Sequence, residues 1–282
     1  MKTVKLDMLT FEIYDDDTEK ATRKCDMKTV KLDMLTFEIY DDGTASVTAC
    51  DKSATSVVIP AKVEGAYVKA VSDNAFENCK SLVSVEFPPY DEEMWINDES
   101  FEEIGGNAFY GCTALRELFI PCTVATIGHG AFYRCTALEK VTLEDGLRTP
   151  YLAPYVFMDC EALKEITPIK NLNDGTFSGC ASLKHMPIAE GCDEIPEDCF
   201  EHCDSLTEIT IPKSVKSIGP LAFRGCASLS RVTFEDPEGW RAGSVYFPDR
   251  EPRYVDFSDP IRNAKLLREM DFDDGVRGLR KE

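Results

Sequence analysis

The side chains best suited to chemistry in this 282-residue chain are its twelve cysteines, and one group of them has the composition of a zinc centre: Cys192, Cys199, His202 and Cys203. Thiolates and imidazoles at such spacing can close a tetrahedral site. A second candidate is the run Pro88–Glu103, PPYDEEMWINDESFEE, whose seven carboxylates could attract a cation. Calcium loops place ligands at alternating positions around a glycine, and DEEMWINDE lacks that D-x-D-x-D-G spacing. Nucleophilic and acid–base chemistry is poorly supplied. His129, His185 and His202 are the three histidines, in non-equivalent positions, and no G-x-S-x-G, P-loop, H-E-x-x-H or G-x-G-x-x-G string occurs. No catalytic residue, metal or cofactor is expected, and the chain reads as non-enzymatic.

The elements that must position these residues show why. Phenylalanine recurs at Phe76, Phe109, Phe132, Phe157, Phe177, Phe200 and Phe223, with cysteine three residues on at Cys79, Cys112, Cys135, Cys160, Cys180, Cys203 and Cys226. Leucine follows three further on, at Leu82, Leu115, Leu138, Leu163, Leu183, Leu206 and Leu229. A small residue precedes each Phe, so Cys199 fills that slot and Cys203 the cysteine slot; two members of the zinc group are already accounted for. After each Leu an alternating apolar pair, such as Val141 and Leu143 or Ile209 and Ile211, marks a short half-buried strand. Pro88, Pro121 and Pro212 close several of these strands. The Ala-Phe-x-x-Cys segment has the spacing of one helical turn.

One such unit buries too little apolar surface to fold alone, whereas stacked copies share a core in which each position becomes a ladder of itself. The expected architecture is a repeat solenoid of the leucine-rich type, a right-handed β-rich coil with one parallel sheet and short helical turns on the opposite flank. Packing, not disulfides or metal, then explains the cysteines. The units Ile104–Pro121 (IGGNAFYGCTALRELFIP), Ile127–Leu143 (IGHGAFYRCTALEKVTL) and Ile211–Phe234 resemble the BspA-like leucine-rich repeats of bacterial surface proteins. The resemblance covers roughly residues 35 to 270. It implies adhesion or host-protein binding and a possible place at the cell surface.

Four segments are predicted: a leader over 1–26, an N-terminal β cap over 27–71, seven turns over 72–236, and a C-terminal cap with a short helix over 237–282. Residues 1–16 and 27–42 are identical, but only the second copy runs on into Asp42-Gly43 and a β-rich hairpin, so the first is expected to be dispensable or to pair or swap with the second. Solenoids need such caps because a terminal turn exposes its core. At the far end Ser258-Asp259-Pro260, with Ile261, Ala264, Leu267 and Met270 behind it, reads as an N-capped amphipathic helix, and the tail from Gly275 as frayed. Pro168 and Pro187 fall on strand positions, so irregular strands are expected near the middle of the array.

Strand alternation turns Ser84/Glu86, Glu117/Phe119, Lys140/Thr142, Glu165/Thr167, His185/Pro187, Glu208/Thr210 and Arg231/Thr233 outward. Phe119 stands out as an aromatic among polar residues, next in sequence to the acidic insertion that carries Tyr90, Trp95 and Phe101. That insertion reads as a surface excursion packing Trp95 on the coil, or as a contact loop for a basic partner. Phe119, Tyr90, Trp95, Glu86, Glu117, Lys140, His185 and Arg231 are the candidate contacts for a macromolecular partner, expected to be a protein. The alternative is a scaffolding repeat with no dedicated site. Acidic residues outnumber basic ones 51 to 31, for a net charge of −20, which disfavours nucleic acid and anionic membranes. No apolar stretch is long enough to span a bilayer, and MKTVKLDMLTFEIYDDD has no signal-type apolar run, so a cytoplasmic monomer is the default expectation.

Overall fold

The computed structural model describes residues 2–6, 9–13, 27–186, 188–244, 253–254, 256–269 and 276–281, and its fold is a β-solenoid of about eight turns. The chain opens with two hairpins, β1 (Lys2–Leu6) with β2 (Leu9–Ile13) and β3 (Lys28–Leu32) with β4 (Leu35–Ile39). A cap turn follows, made of β5 (Thr44–Cys50), β6 (Ser56–Val58), β7 (Lys62–Val63) and β8 (Ala66–Val71). Each later turn carries up to two short strands. One follows the leucine: β9 (Ser84–Glu86) and, beyond the insertion helix α1 (Glu92–Ile96), others of the same kind. The other contains the apolar residue that precedes the Phe turn, beginning with β10 (Glu103–Ile104).

The two kinds then alternate through β11 (Glu117–Ile120), β12 (Thr126–Ile127), β13 (Lys140–Leu143), β14 (Tyr151–Leu152) and β15 (Glu165–Ile166). They resume with β16 (Glu194–Ile195), β17 (Glu208–Ile211), β18 (Ser217–Ile218) and β19 (Arg231–Phe234). The expected parallel ladder after each leucine is present as the face ladder, in three pieces: β6–β9, β11–β13–β15 and β17–β19. A second, rear ladder accompanies it, running β8–β10–β12–β14 and then β16–β18. Both lapse between residues 166 and 194, where isolated bridges Ile169↔Ile188 and His185↔Glu208 remain. Pro168, which has no N–H to give, is exposed there; Pro187 lies outside the described residues.

The third flank has no such gap. From Phe76 onward each Phe N–H donates to the carbonyl just before the next Phe, from Phe76–Ala108 at 2.7 Å to Phe200–Ala222 at 2.8 Å. The seven rings are fully buried and stack face to face, with centroids 4.5 to 5.8 Å apart. Burying each ring contributes roughly 2–3 kcal/mol. The Phe-x-x-Cys segment holds a single local turn, Cys N–H to Phe carbonyl, and does not extend as a helix. The reason is a positive φ two residues before and two residues after each Phe, as at Asn74 and Asn78, Tyr155 and Asp159, or Asp198 and His202.

At the C-terminal end Trp240, Phe257 and Phe234 plug the last turn, with ring centroids 4.2 to 5.9 Å apart. The strand β20 (Trp240–Ser244) is followed by β21 (Arg253–Tyr254) and the helix α2 (Pro260–Glu269), whose first N–H groups are capped by Asp259. Ala264 and Leu267 are buried as the amphipathic pattern requires, but Ile261 is 70% exposed, and Asn263 takes the buried place, donating to the carbonyls of Val232 and Phe257. Met270 lies outside the described residues. The tail expected to fray instead forms β22 (Val276–Lys281), antiparallel between β18 and β20, which ends the parallel rear ladder.

Candidate interaction face

Three surfaces could carry function: the turn flank with its cysteines, the acidic insertion, and the face ladder. The cysteines are occupied. From Cys112 onward each Sγ of the ladder donates to the carbonyl of the Phe one turn earlier: Cys112 to Phe76 at 3.2 Å, Cys160 to Phe132 at 3.3 Å, Cys226 to Phe200 at 3.0 Å; Cys79, in the first turn, has the Cys50 carbonyl as its partner instead. Cysteine therefore recurs because it is small and also a weak donor. Burial pushes the Cys112 and Cys226 thiols up to about 12 and those of Cys135, Cys160, Cys180 and Cys203 well above their usual range, which keeps the donors protonated. In the zinc-like group, Cys192 donates to the Glu194 carbonyl at 3.1 Å and Cys203 to that of Phe177 at 3.3 Å, while His202 is exposed on the turn flank.

The insertion is tied to the coil. Asp91 caps α1, and Trp95 lies under the Arg148 guanidinium, 4.4 Å from ring centroid to charge. Lys69 on β8 sits 3.3 Å from Asp98 and 3.8 Å from Glu102, with Arg148 3.9 Å from Glu102. A hydrogen bond from Lys69 holds the Asp98 carboxyl down, whereas burial pushes that of Glu102 up. Phe101 belongs to the core, 1% exposed and stacked on Phe87 at 5.3 Å. Tyr90 and Ile96 remain exposed. Among the described residues, Tyr90, Trp95 and Phe119 form no ring pair with one another, so the structure does not gather them into one aromatic cluster.

The face ladder puts the remaining candidates in two columns. In the first, Glu117, Lys140 and Glu165 are in register, as are His185, Glu208 and Arg231. Neighbours along the column lie close, with Lys140 paired to Glu165 at 3.7 Å and His185 Nδ1 3.9 Å from the Glu208 carboxylate. In the second column Val58 faces Glu86, Phe119 faces Thr142, and Thr210 faces Thr233. Val58 is 63% and Phe119 50% exposed, and Val83, level with Thr55 and Arg116 just ahead of β9, is exposed too. Sequence reasoning found Phe119 but missed Val58 and Val83; the alternation of Ser56-Val-Val-Ile59 was the available signal, because it continues the face into the cap turn. Among the described residues, the C-terminal half of the face has no exposed large apolar residue of this kind. It has instead a groove of about 490 Å³ between His185 and Glu235, floored by Met186, Ile209 and Pro212.

Known proteins of this build agree. Residues 48–149, 92–174 and 151–241 match the BspA type leucine rich repeat region, in six copies. A leucine rich repeat protein of T. pallidum is 27% identical, with a TM-score of 0.57 over 72% of this chain and 91% of that one. A leucine rich cell surface protein of Faecalibacterium prausnitzii, 24% identical, shares the fold with a TM-score of 0.51, over 83% of this chain and 62% of its own. No curated protein matches the sequence. With the matched repeats spanning well over half of its length, the chain belongs to the BspA-type leucine-rich-repeat family.

Proposed function

We propose that this chain is a non-enzymatic protein-binding module, and that the N-terminal half of the face ladder is its contact surface. The observation that carries the reading is that Val58 and Phe119 are exposed in the same outward column, with Glu86 opposite Val58, Glu117 on the strand of Phe119 and the exposed Val83 ahead of β9. Such a group on a rigid strand surface fits an apolar anchor ringed by basic side chains. The insertion extends the same acidic surface through Tyr90 and the α1 carboxylates, with Trp95 serving to hold it in place. Adhesion and host-protein binding, which the family resemblance implies, fall within this reading. No helix of the described residues is long and apolar enough to cross a membrane.

A scaffolding role is favoured for the rest of the face, where Lys140 pairs with Glu165 and His185 lies against Glu208. A photo-crosslinking residue at position 119 or 58 should yield a discrete protein adduct in native extract, lost when Val83 becomes Ser and Glu117 becomes Lys. Equal adducts from the same probe at position 202, on the turn flank, would sink the assignment.

A further inference from the structure

The seat on β5 that holds the second hairpin is a binding surface with two possible occupants in one chain. Residues 1–16 and 27–42 are the same sequence, and the two hairpins have the same register. Lys2↔Ile13, Val4↔Phe11 and Leu6↔Leu9 in the first repeat Lys28↔Ile39, Val30↔Phe37 and Leu32↔Leu35 in the second. The second hairpin is seated by β4, which pairs Leu35 with Cys50, Phe37 with Val47 and Ile39 with Ala45. Leu35 is 4% and Phe37 0% exposed in that seat, so these two side chains close the N-terminal end of the core. Leu9 and Phe11 hold the same register positions in the first hairpin, which among the described residues forms a two-stranded sheet of its own.

We propose that residues 2–13 are an interchangeable cap: the first hairpin can take the seat on β5 within its own chain, releasing residues 28–39. Every strand pair of the seat is reproduced by the exchange, because every residue making it is duplicated. What differs is the connection. The second copy enters β5 through the tight turn Tyr40–Gly43, where the Gly43 N–H bonds the Tyr40 carbonyl and φ is +81° at Gly43. The first copy would enter it through a loop of roughly 30 residues, and closing that loop instead of the four-residue turn disfavours it by about twentyfold. The second copy therefore holds the seat in the intact chain, as observed, and the first takes over when the second is damaged by more than that factor. Placing a charge at Phe37 exceeds it, since removing a buried Phe alone shifts the equilibrium by a few hundredfold or more.

The test is a double-mutant cycle in the full-length chain: Phe11→Asp, Phe37→Asp and both together, read by hydrogen exchange of the β5 amides. Phe11→Asp should leave their protection unchanged. Phe37→Asp should lower it by no more than about twentyfold, because the first hairpin then fills the seat, and residues 9–13 should gain protection as they do. The double variant should lose at least tenfold more. Protection in the double variant equal to that in Phe37→Asp would overturn the proposal. So would a rescue in Phe37→Asp that grows with protein concentration, since the seat would then be filled by another molecule.

Discussion

Along the turn flank, hydrogen bonds and stacked rings join every consecutive turn from Phe76 to Phe223, whereas the face ladder stops at the insertion and again after β15. Both flanks come from the same repeat, so the difference lies in what each tolerates. The turn flank is short and invariant in length, with its N–H groups alternately committed to the next turn and to the local turn. The strand flank carries the variable lengths: a 33-residue step that holds the insertion, and a 20-residue step that eliminates a rear strand. In that short step the Asn173 amide, 3.3 Å from the Leu152 carbonyl, makes a side-chain bond where neighbouring turns use backbone. The turn flank keeps the coil together and the strand flank is free to specialise.

The comparison breaks hardest at its centre. Phe177→Ala should cost about 4 kcal/mol, within the range for buried Phe truncations, and should split one cooperative melt into two, because the strand ladders thin there to the isolated bridges Ile169↔Ile188 and His185↔Glu208. Phe109→Ala should cost a similar amount but leave a single transition; two transitions from Phe109→Ala would refute the distinction. Next in size is Gly128→Ala. A Cβ there would lie 2.5 Å from the Gly106 nitrogen one turn away, so the turns must part, at about 2 kcal/mol measured by denaturant titration.

Smaller effects sharpen the roles of single groups. Cys160→Ala removes a thiol donor from a carbonyl that keeps its bond from the Cys135 N–H, and should cost about 1–2 kcal/mol. Asp198 has its pKa raised to about 6 by burial and by the neighbouring Glu201 and Glu197. A raised carboxyl binds its proton more readily in the folded chain than in the unfolded one. Stability should then rise as pH falls from about 6 towards 4, and the penalty is fully present above 6. Asp198→Asn should remove that slope and gain about 1 kcal/mol at pH 7, the figure being discounted for solvent screening. Phe119→Ser should change stability by less than about 0.5 kcal/mol, which is what separates a contact residue from a core one.

The Phe, Cys and Leu columns were legible because each residue type repeats at fixed spacing and the stack turns spacing into position. Much of the outward set followed from alternation alone: Glu86, Glu117, Phe119, Lys140 and Arg231 are exposed on the strands where period two puts them, and His185 is exposed at an isolated bridge. The rear ladder was harder to read. Beyond β8 its strands are two residues long, too short for alternation to register, and only the recurring Ile-Gly hinted at it. The positive-φ columns hid in the variable positions of Phe-x-x-Cys, because Asn, Gly, Asp, Arg and His look unrelated until their shared backbone is seen. The strand β22 was illegible for another reason: its partners, β18 and β20, are close in space while it lies alone at the chain's end.

The coincidence of both strand gaps has a mechanical meaning. A stack resists bending through the bonds that cross each of its planes, and between residues 166 and 194 those bonds lie mainly on the turn flank. The elastic axis shifts to that side, so a load on the coil opens the strand side there first, as a book opens against its binding. A partner pressing on the face would meet a stiff surface at Phe119 and a compliant one at His185, and could change the curvature of the whole molecule by wedging the second while gripping the first.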